Sequence, residues 1–278
     1  MTRWRIASAL CLLSPLLLGA TSPPVPMRLY TLDCGRIDIP DLASFSDTGD
    51  YDGEHEAMPV PCFLIRHGTE WMLWDAGLGD EIAASPDGRQ VVGLHFRVPR
   101  TLSSQLAELK LKPADVHYVG LSHLHADHSG NAALFPDATF LVAPEELKWA
   151  GGDPVPGGVR ADAVAAVLRS RIEPVSGDKD VFGDGSVRML STPGHTPGHH
   201  SLMVRLAHSG PIILSGDVAH FKVSFDKGLV PQGNASRAET LASIDRLKGL
   251  AAHFHARVVV QHAVDVFAGM PKSPKYLE

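Results

Sequence analysis

Between residues 123 and 128 the chain reads His-Leu-His-Ala-Asp-His, four potential metal donors in six positions. Imidazole and carboxylate donors suit zinc, and also iron, manganese or cobalt. A strand predicted over 116–121 runs straight into this segment. His123 and His125 are two residues apart, so on extended backbone they leave the same face and can hold one ion together. Asp127 and His128 follow where the strand ends and the chain must bend, so they can face a second point beside the first. Further donors stand just past the ends of other predicted strands: His195 after 187–190, Asp217 after 212–214 and His262 after 258–260. Loops converge beyond the C-terminal ends of the strands in α/β sheets, so these groups are expected to meet. Two ions about 3.5–4 Å apart acidify a water between them and polarise a carbonyl oxygen. His199 and Thr196, in the same Pro/Gly-rich loop as His195, are candidates for orienting the ligands.

The elements that must position these residues alternate along the chain. Strands are expected at 28–32, 61–66, 71–74, 116–121, 138–142, 172–174, 187–190, 201–206, 211–214 and 257–261. Helices are expected at 101–109, after Pro144 as a first-turn proline, and at 159–170. Another runs from Ser236, with Glu239 completing a capping box, to about residue 252. No Pro/Gly/Ser linker divides the chain, so a single α/β domain over 23–278 is expected. Three segments do not fit a sheet: 41–58, 77–99 and 220–234. Long irregular loops tend to be lids or binding loops, so these are expected to wall a substrate site. Trp71, Trp74, Phe96, Phe221 and Phe225 are candidate apolar wall residues, with core packing favoured for Trp71 and Trp74.

Composition sets the outer bounds. With 278 residues, 44% hydrophobic and 20% charged, the chain can bury a sizeable core. A net charge of −6 lacks the basic footprint of a duplex DNA binder, so no nucleic-acid partner is expected. Residues 1–22 read as a signal peptide: Arg3 and Arg5, an apolar run over 6–18, then small residues. The mature protein is therefore expected to be exported, periplasmic or secreted, without stable membrane association. Losing Arg3 and Arg5 takes the net charge to near −8. Of three cysteines, Cys11 falls in the leader. Cys34 and Cys62 remain, open to pairing in an oxidising compartment or to burial as free thiols in apolar strands.

The HxHxDH segment together with His195, Asp217 and His262 resembles the metallo-β-lactamase superfamily across the whole mature chain. The resemblance implies a four-layer αββα sandwich with metals at the sandwich edge. By motif position it implies that His123, His125 and His195 bind a first divalent ion, with zinc the leading choice. Asp127, His128 and His262 would bind a second, and Asp217 would bridge both. Within the superfamily, the intervals of 67 residues from His128 to His195, 22 to Asp217 and 45 to His262 resemble those of N-acyl homoserine lactonases. Residues 28–35, 58–65, 74–77, 187–200 and 212–217 are similar to the same family. The implied activity is opening of an N-acyl homoserine lactone ring, the chemistry of quorum quenching. A hydroxide at the two-metal site would attack the carbonyl, and Asp127 would carry the proton to the leaving group.

The sequence departs from that family at one position. Many of these lactonases have a tyrosine three residues after the bridging aspartate. Here it is His220, which can still donate a hydrogen bond and is the second catalytic candidate. Three other readings remain: an exported β-lactamase, another ester or lactone hydrolase of the same superfamily, and a metal-binding protein without catalysis. Secreted β-lactamases generally lack an aspartate at the Asp217 position. A closed structural zinc site needs only four ligands. Oligomeric state is open, a homodimer included. Of fifteen histidines, eight, among them His55, His95 and His253, carry no assignment.

Overall fold

The computed structural model describes Met1 and residues 25–278. The expected signal peptide, apart from Met1, and Cys11 lie outside the described residues. Strands β1 (Met27–Ile39), β2 (Glu56–His67) and β3 (Glu70–Trp74) form an antiparallel meander. A hairpin of β4 (Arg89–Val91) and β5 (Leu94–Arg97) pairs onto β1. Helix α1 (Leu102–Glu108), strand β6 (Tyr118–Gly120) and the single turn α2 (Ala126–Ser129) follow. Then come β7 (Thr139–Val142), α3 (Pro144–Ala150), α4 (Ala161–Arg169) and β8 (Arg171–Pro174). Strands β6, β7 and β8 extend the sheet in parallel from β3, giving the order β4-β5-β1-β2-β3-β6-β7-β8.

A second sheet takes β9 (Lys179–Asp180), β10 (Val187–Ser191), β11 (His200–Leu206) and β12 (Gly210–Leu214). Helices α5 (Lys222–Lys227) and α6 (Arg237–Phe254) lead to β13 (Arg257–Val259), parallel to β12, and α7 (Val264–Gly269) follows. No described helix is long and apolar enough to cross a membrane.

The alternation of side chains along strands decides the layering. Ile65 and Phe63 of β2 join Met189, Leu202, Val204, Ile212 and Leu214 in one buried cluster, so the two sheets pack face to face. Leu64, one residue on, points the other way and packs with Leu102 and Leu106 of α1 and Val164 and Val167 of α4. On the second sheet Leu190, Met203 and Ile213 face outward onto Ile244 and Leu247 of α6. Three apolar layers between helix, sheet, sheet and helix make the αββα sandwich that the resemblance implies.

Every expected strand and helix is present, with shifted ends. Strand β1 continues past residue 32 through an irregularity between Asp33 and Arg36. The Ser236 hydroxyl accepts from Glu239 N at 3.2 Å, but the capping box is not closed. The Ser236 amide donates instead to Gly194 O at 2.9 Å, tying the start of α6 to the His195 loop. The β4–β5 hairpin, α5 and α7 lie in regions expected to be irregular or without an expected element. The hairpin turns on Val92 and Gly93, both with positive φ (49° and 80°). Such a two-residue turn normally carries Asn-Gly or Asp-Gly, and a valine hides the signal. Short β9 was also unassigned.

Cys34 and Cys62 are joined by a disulfide, with Cα atoms 5.8 Å apart, and both are buried. This closes the question left by the sequence against free thiols. The disulfide packs against the turn after β3. A Cβ on Gly77, whose φ is +62°, would lie 2.2 Å from Cys34 Cβ. Denatured, unreduced protein is expected to leave Cys34 and Cys62 unalkylated by iodoacetamide, checked by peptide mass. The bond spans 28 residues, so the Cys34→Ala/Cys62→Ala pair should lose about 3–4 kcal/mol in urea unfolding.

Candidate metal centre

Strands β3, β6, β10, β12 and β13 all end at the same edge of the sandwich, and each hands over to a turn that carries a polar side chain. After β6 the segment 121–125 carries His123 and His125, and the turn α2 swings Asp127 and His128 onto the neighbouring side. The ligand atoms fall into two groups: His123, His125, His195 and Asp217, and Asp127, His128 and His262, each within 4.8 Å of one another. In the first, His125 Nδ1 lies 2.9 Å from His123 Nε2 and 3.0 Å from His195 Nε2. In the second, His128 Nε2 and His262 Nε2 are 3.2 Å apart, with Asp127 Oδ2 at 3.5 and 3.6 Å. Asp217 spans both. Its Oδ2 is 3.8 Å from His123 Nε2 and 3.6 Å from His195 Nε2. Its Oδ1 is 3.3 Å from His128 Nε2 and 3.1 Å from His262 Nε2.

The far sides of the rings show what these close approaches mean. His262 Nδ1 donates to Pro59 O at 2.8 Å, His195 Nδ1 to Asn234 Oδ1 at 2.9 Å, and His128 Nδ1 to Asp75 Oδ2 at 2.9 Å. In a neutral ring each donation leaves Nε2 with a lone pair aimed into the site. Asp217 Oδ1, buried, has no hydrogen-bond donor among the described residues. Converging lone pairs and an unsatisfied carboxylate oxygen fit divalent cations, so the residues present suit a two-metal site.

Burial pushes His123 and His195 well below the usual imidazole range, and lowers His125 as well, which keeps them neutral and ready to coordinate. His128 is also buried, but Asp217, Asp127 and Asp75 outweigh that and hold it well above. Protons and cations therefore compete for its nitrogen.

All seven ligand candidates are brought together, and so is His220. Its Nε2 lies 3.1 Å from Asp217 Oδ2, and its ring meets Phe45 edge-on at 5.0 Å. His199 meets a ligand candidate through its backbone: its Nε2 accepts the Asp217 amide at 2.8 Å and its Nδ1 donates to Thr192 O at 3.0 Å. Thr196 touches no ligand side chain; its hydroxyl donates to Glu146 Oε2 at 2.6 Å.

Four supporting residues went unrecognised in the sequence. Asp75, buried with φ +57°, accepts from Ser122 N at 2.7 Å and from Gln261 Nε2 at 3.0 Å besides His128. It stands directly after β3, so the strand-end argument used for the ligands applies to it equally. Gln261 joins three strand ends, accepting from Gly216 N at 2.8 Å and from the Trp74 indole at 3.3 Å. Asn234 and Glu146 lie in a loop and in a helix, where nothing in the sequence marks them.

A cavity of about 1090 Å³ opens over Asp127, His125, His195, Asp217 and His220. All three segments expected as walls line it, through Phe45, Leu78, Ile82, Leu94, Pro231 and others. Of the five aromatic wall candidates only Phe96 faces it. Trp74 is fully buried between the sheets and Phe225 lies under α6. Phe221 packs at an angle against Phe45 and Tyr51, and Trp71 against Tyr30. Trp149, whose ring is 5.6 Å from that of His125, supplies an unforeseen wall.

The profile of the metallo-beta-lactamase superfamily matches residues 55–262. The chain belongs to this superfamily. An N-acyl homoserine lactonase, AttM of Azorhizobium caulinodans, is 34% identical over 266 residues, covering 91% of this chain and 99% of that protein. A solved N-acyl homoserine lactone hydrolase, holding the product N-hexanoyl-L-homoserine at its catalytic metal center, superposes with a TM-score of 0.79. It is 23% identical and covers 92% of this chain and 100% of its own. AidC, a dizinc quorum-quenching lactonase, gives a TM-score of 0.67 at 18% identity, over 92% of this chain and 95% of that one.

Burial pushes His199 down to about 3 from an ordinary 6.5. Because the folded value lies below the unfolded one, its contribution is complete above pH 6.5 and is lost as pH falls towards 3. In urea unfolding of metal-free protein, the stability gap between wild type and His199→Gln is expected to narrow by about 2–3 kcal/mol from pH 7 to pH 4.5.

Proposed function

We propose that the protein hydrolyses the ester bond of N-acyl homoserine lactone rings at a site that binds two divalent metal ions. The observation that carries this is the Asp217 carboxylate, whose two oxygens face two separate groups of imidazoles at the floor of an apolar-walled cavity. Similarity to N-acyl homoserine lactonases over nearly the full chain supports the choice of substrate. Zinc is the proposed metal, on the donor set of five imidazoles and two carboxylates. His123, His125 and His195 would hold one ion and Asp127, His128 and His262 the other, with Asp217 shared. Bound there, the ions would supply an acidified water and an electrophile for the lactone carbonyl.

The chain's own residues do the rest. Asp127 lines the cavity and keeps 16% of its side chain exposed, so its carboxylate can take the proton of the attacking water and return it to the leaving alkoxide. His220 stands beside Asp217 at the cavity floor, where its imidazole steadies that carboxylate and faces the substrate. Leu78, Ile82, Leu94 and Phe96 offer an apolar wall for the acyl chain. Export is proposed as well, since a disulfide is the expected state of paired cysteines in an oxidising compartment.

With metal content verified, Asp127→Ala and His125→Ala are expected to abolish lactone turnover, and His220→Ala to leave a partly active enzyme. Chelation should stop wild-type turnover and added metal restore it. Wild-type rates in the Asp127 variant, or turnover of a chromogenic cephalosporin in place of lactones, would overturn the reading. Leu94→Asp should raise KM for N-decanoyl homoserine lactone by about tenfold, while KM for the N-butanoyl compound barely moves, measured by lactone-opening acid release.

A further inference from the structure

The three imidazoles of the first group come from two segments 70 residues apart, and the ligand nitrogens that approach one another are the ones that face the ion site. Besides the His200 amide, which donates to Ser122 O at 2.8 Å, a carboxylate outside the ligand set joins them. Glu146, on the first turn of α3, is fully buried. Its Oε1 accepts the amide of Leu124, the residue between His123 and His125, at 2.9 Å. Its Oε2 accepts the Thr196 hydroxyl at 2.6 Å and the Gly198 amide at 3.1 Å, in the loop that carries His195. Each oxygen thus serves one ligand-bearing segment. The packing allows little play, because a Cβ on Gly198 would lie 2.4 Å from the Glu146 amide nitrogen. The second group is braced elsewhere, His128 by Asp75 and His262 by Pro59 O.

We infer that Glu146 is a positioning residue for the first metal ion: its carboxylate clamps the 123–125 and 195–198 segments at the separation that lets His123, His125 and His195 converge. The inference rests on the two-metal reading and is independent of the substrate.

Three donors and no acceptor face this carboxylate, so Glu146→Gln keeps the shape and turns an amide N–H towards at least one of those donors. The loss is expected to fall on one ion. Outer partners of metal ligands typically contribute 10–100-fold in affinity. Zinc-loaded wild type, Glu146→Gln and Thr196→Val would be dialysed against a graded chelator series and the ions retained per chain counted. Wild type should retain two. Glu146→Gln should release one ion at a 10–100-fold lower chelator activity, with a smaller shift for the other. Thr196→Val, which removes one of the three contacts, should shift the same ion less. Anomalous diffraction at the zinc edge from the half-depleted variant should place the remaining ion in the His128–His262 group. Circular dichroism serves as the control for folding. Unchanged release, loss of both ions together, or a remaining ion in the first group would overturn the inference. A wild-type chain that binds fewer than two ions would overturn the two-metal reading itself.

Discussion

A buried carboxylate that lacks donors is costly, and Asp217 is such a group: 2% exposed, with one oxygen that no hydrogen bond satisfies. Around it five imidazoles are turned so that their lone pairs point inward. Positive charge is the only complement that satisfies all of them at once. The rest of the architecture can be understood as what is needed to hold this arrangement still. The strand ends converge on one edge, the turns after them are locked, and the far nitrogens of His128, His195 and His262 are each given an acceptor.

Those acceptors form a graded support. Asp75 and Gln261 bind β3, β6, β12 and β13 to one another through hydrogen bonds of 2.7–3.0 Å. His199, neutral because it is buried, passes the Asp217 amide on to the Thr192 carbonyl. Beneath the Asp75 turn lies the Cys34–Cys62 disulfide, with Gly77 pressed against it. Side chains that never touch an ion thus fix the tautomer and direction of those that would.

Much of this was legible in the sequence for a physical reason. Donors two apart on extended chain, or just beyond apolar β-runs, are constrained by short-range geometry, so His123, His125, Asp127, His128, His195, Asp217 and His262 could be singled out together. Strand and helix patterning led to a single α/β domain, and the four-layer arrangement came from the resemblance to the superfamily. What stayed hidden depends on long-range packing. Glu146 sits in a helix with ordinary acidic first-turn composition, and its partners lie 22 and 50 residues away. Asn234 reaches His195 across 39 residues. Trp74 lies in the inter-sheet core, the packing favoured for it from its place on a strand. The β4–β5 hairpin escaped because Val92 occupies a backbone conformation that valine rarely adopts.

The floor and the walls of the cavity are built from different material. The floor is made of strand ends cross-braced through buried hydrogen bonds, and few changes there would leave a neighbour undisturbed. The walls are loops and a hairpin whose tip, Val92 at 96% exposed, makes no bond to the floor. Variation can accumulate at the hairpin tip without reaching the reactive centre, whereas the wall residues Phe45, Trp149 and Asn234 touch His220, His125 and His195. A lineage carrying this scaffold is therefore free to drift in what it accepts while the reaction it performs stays fixed.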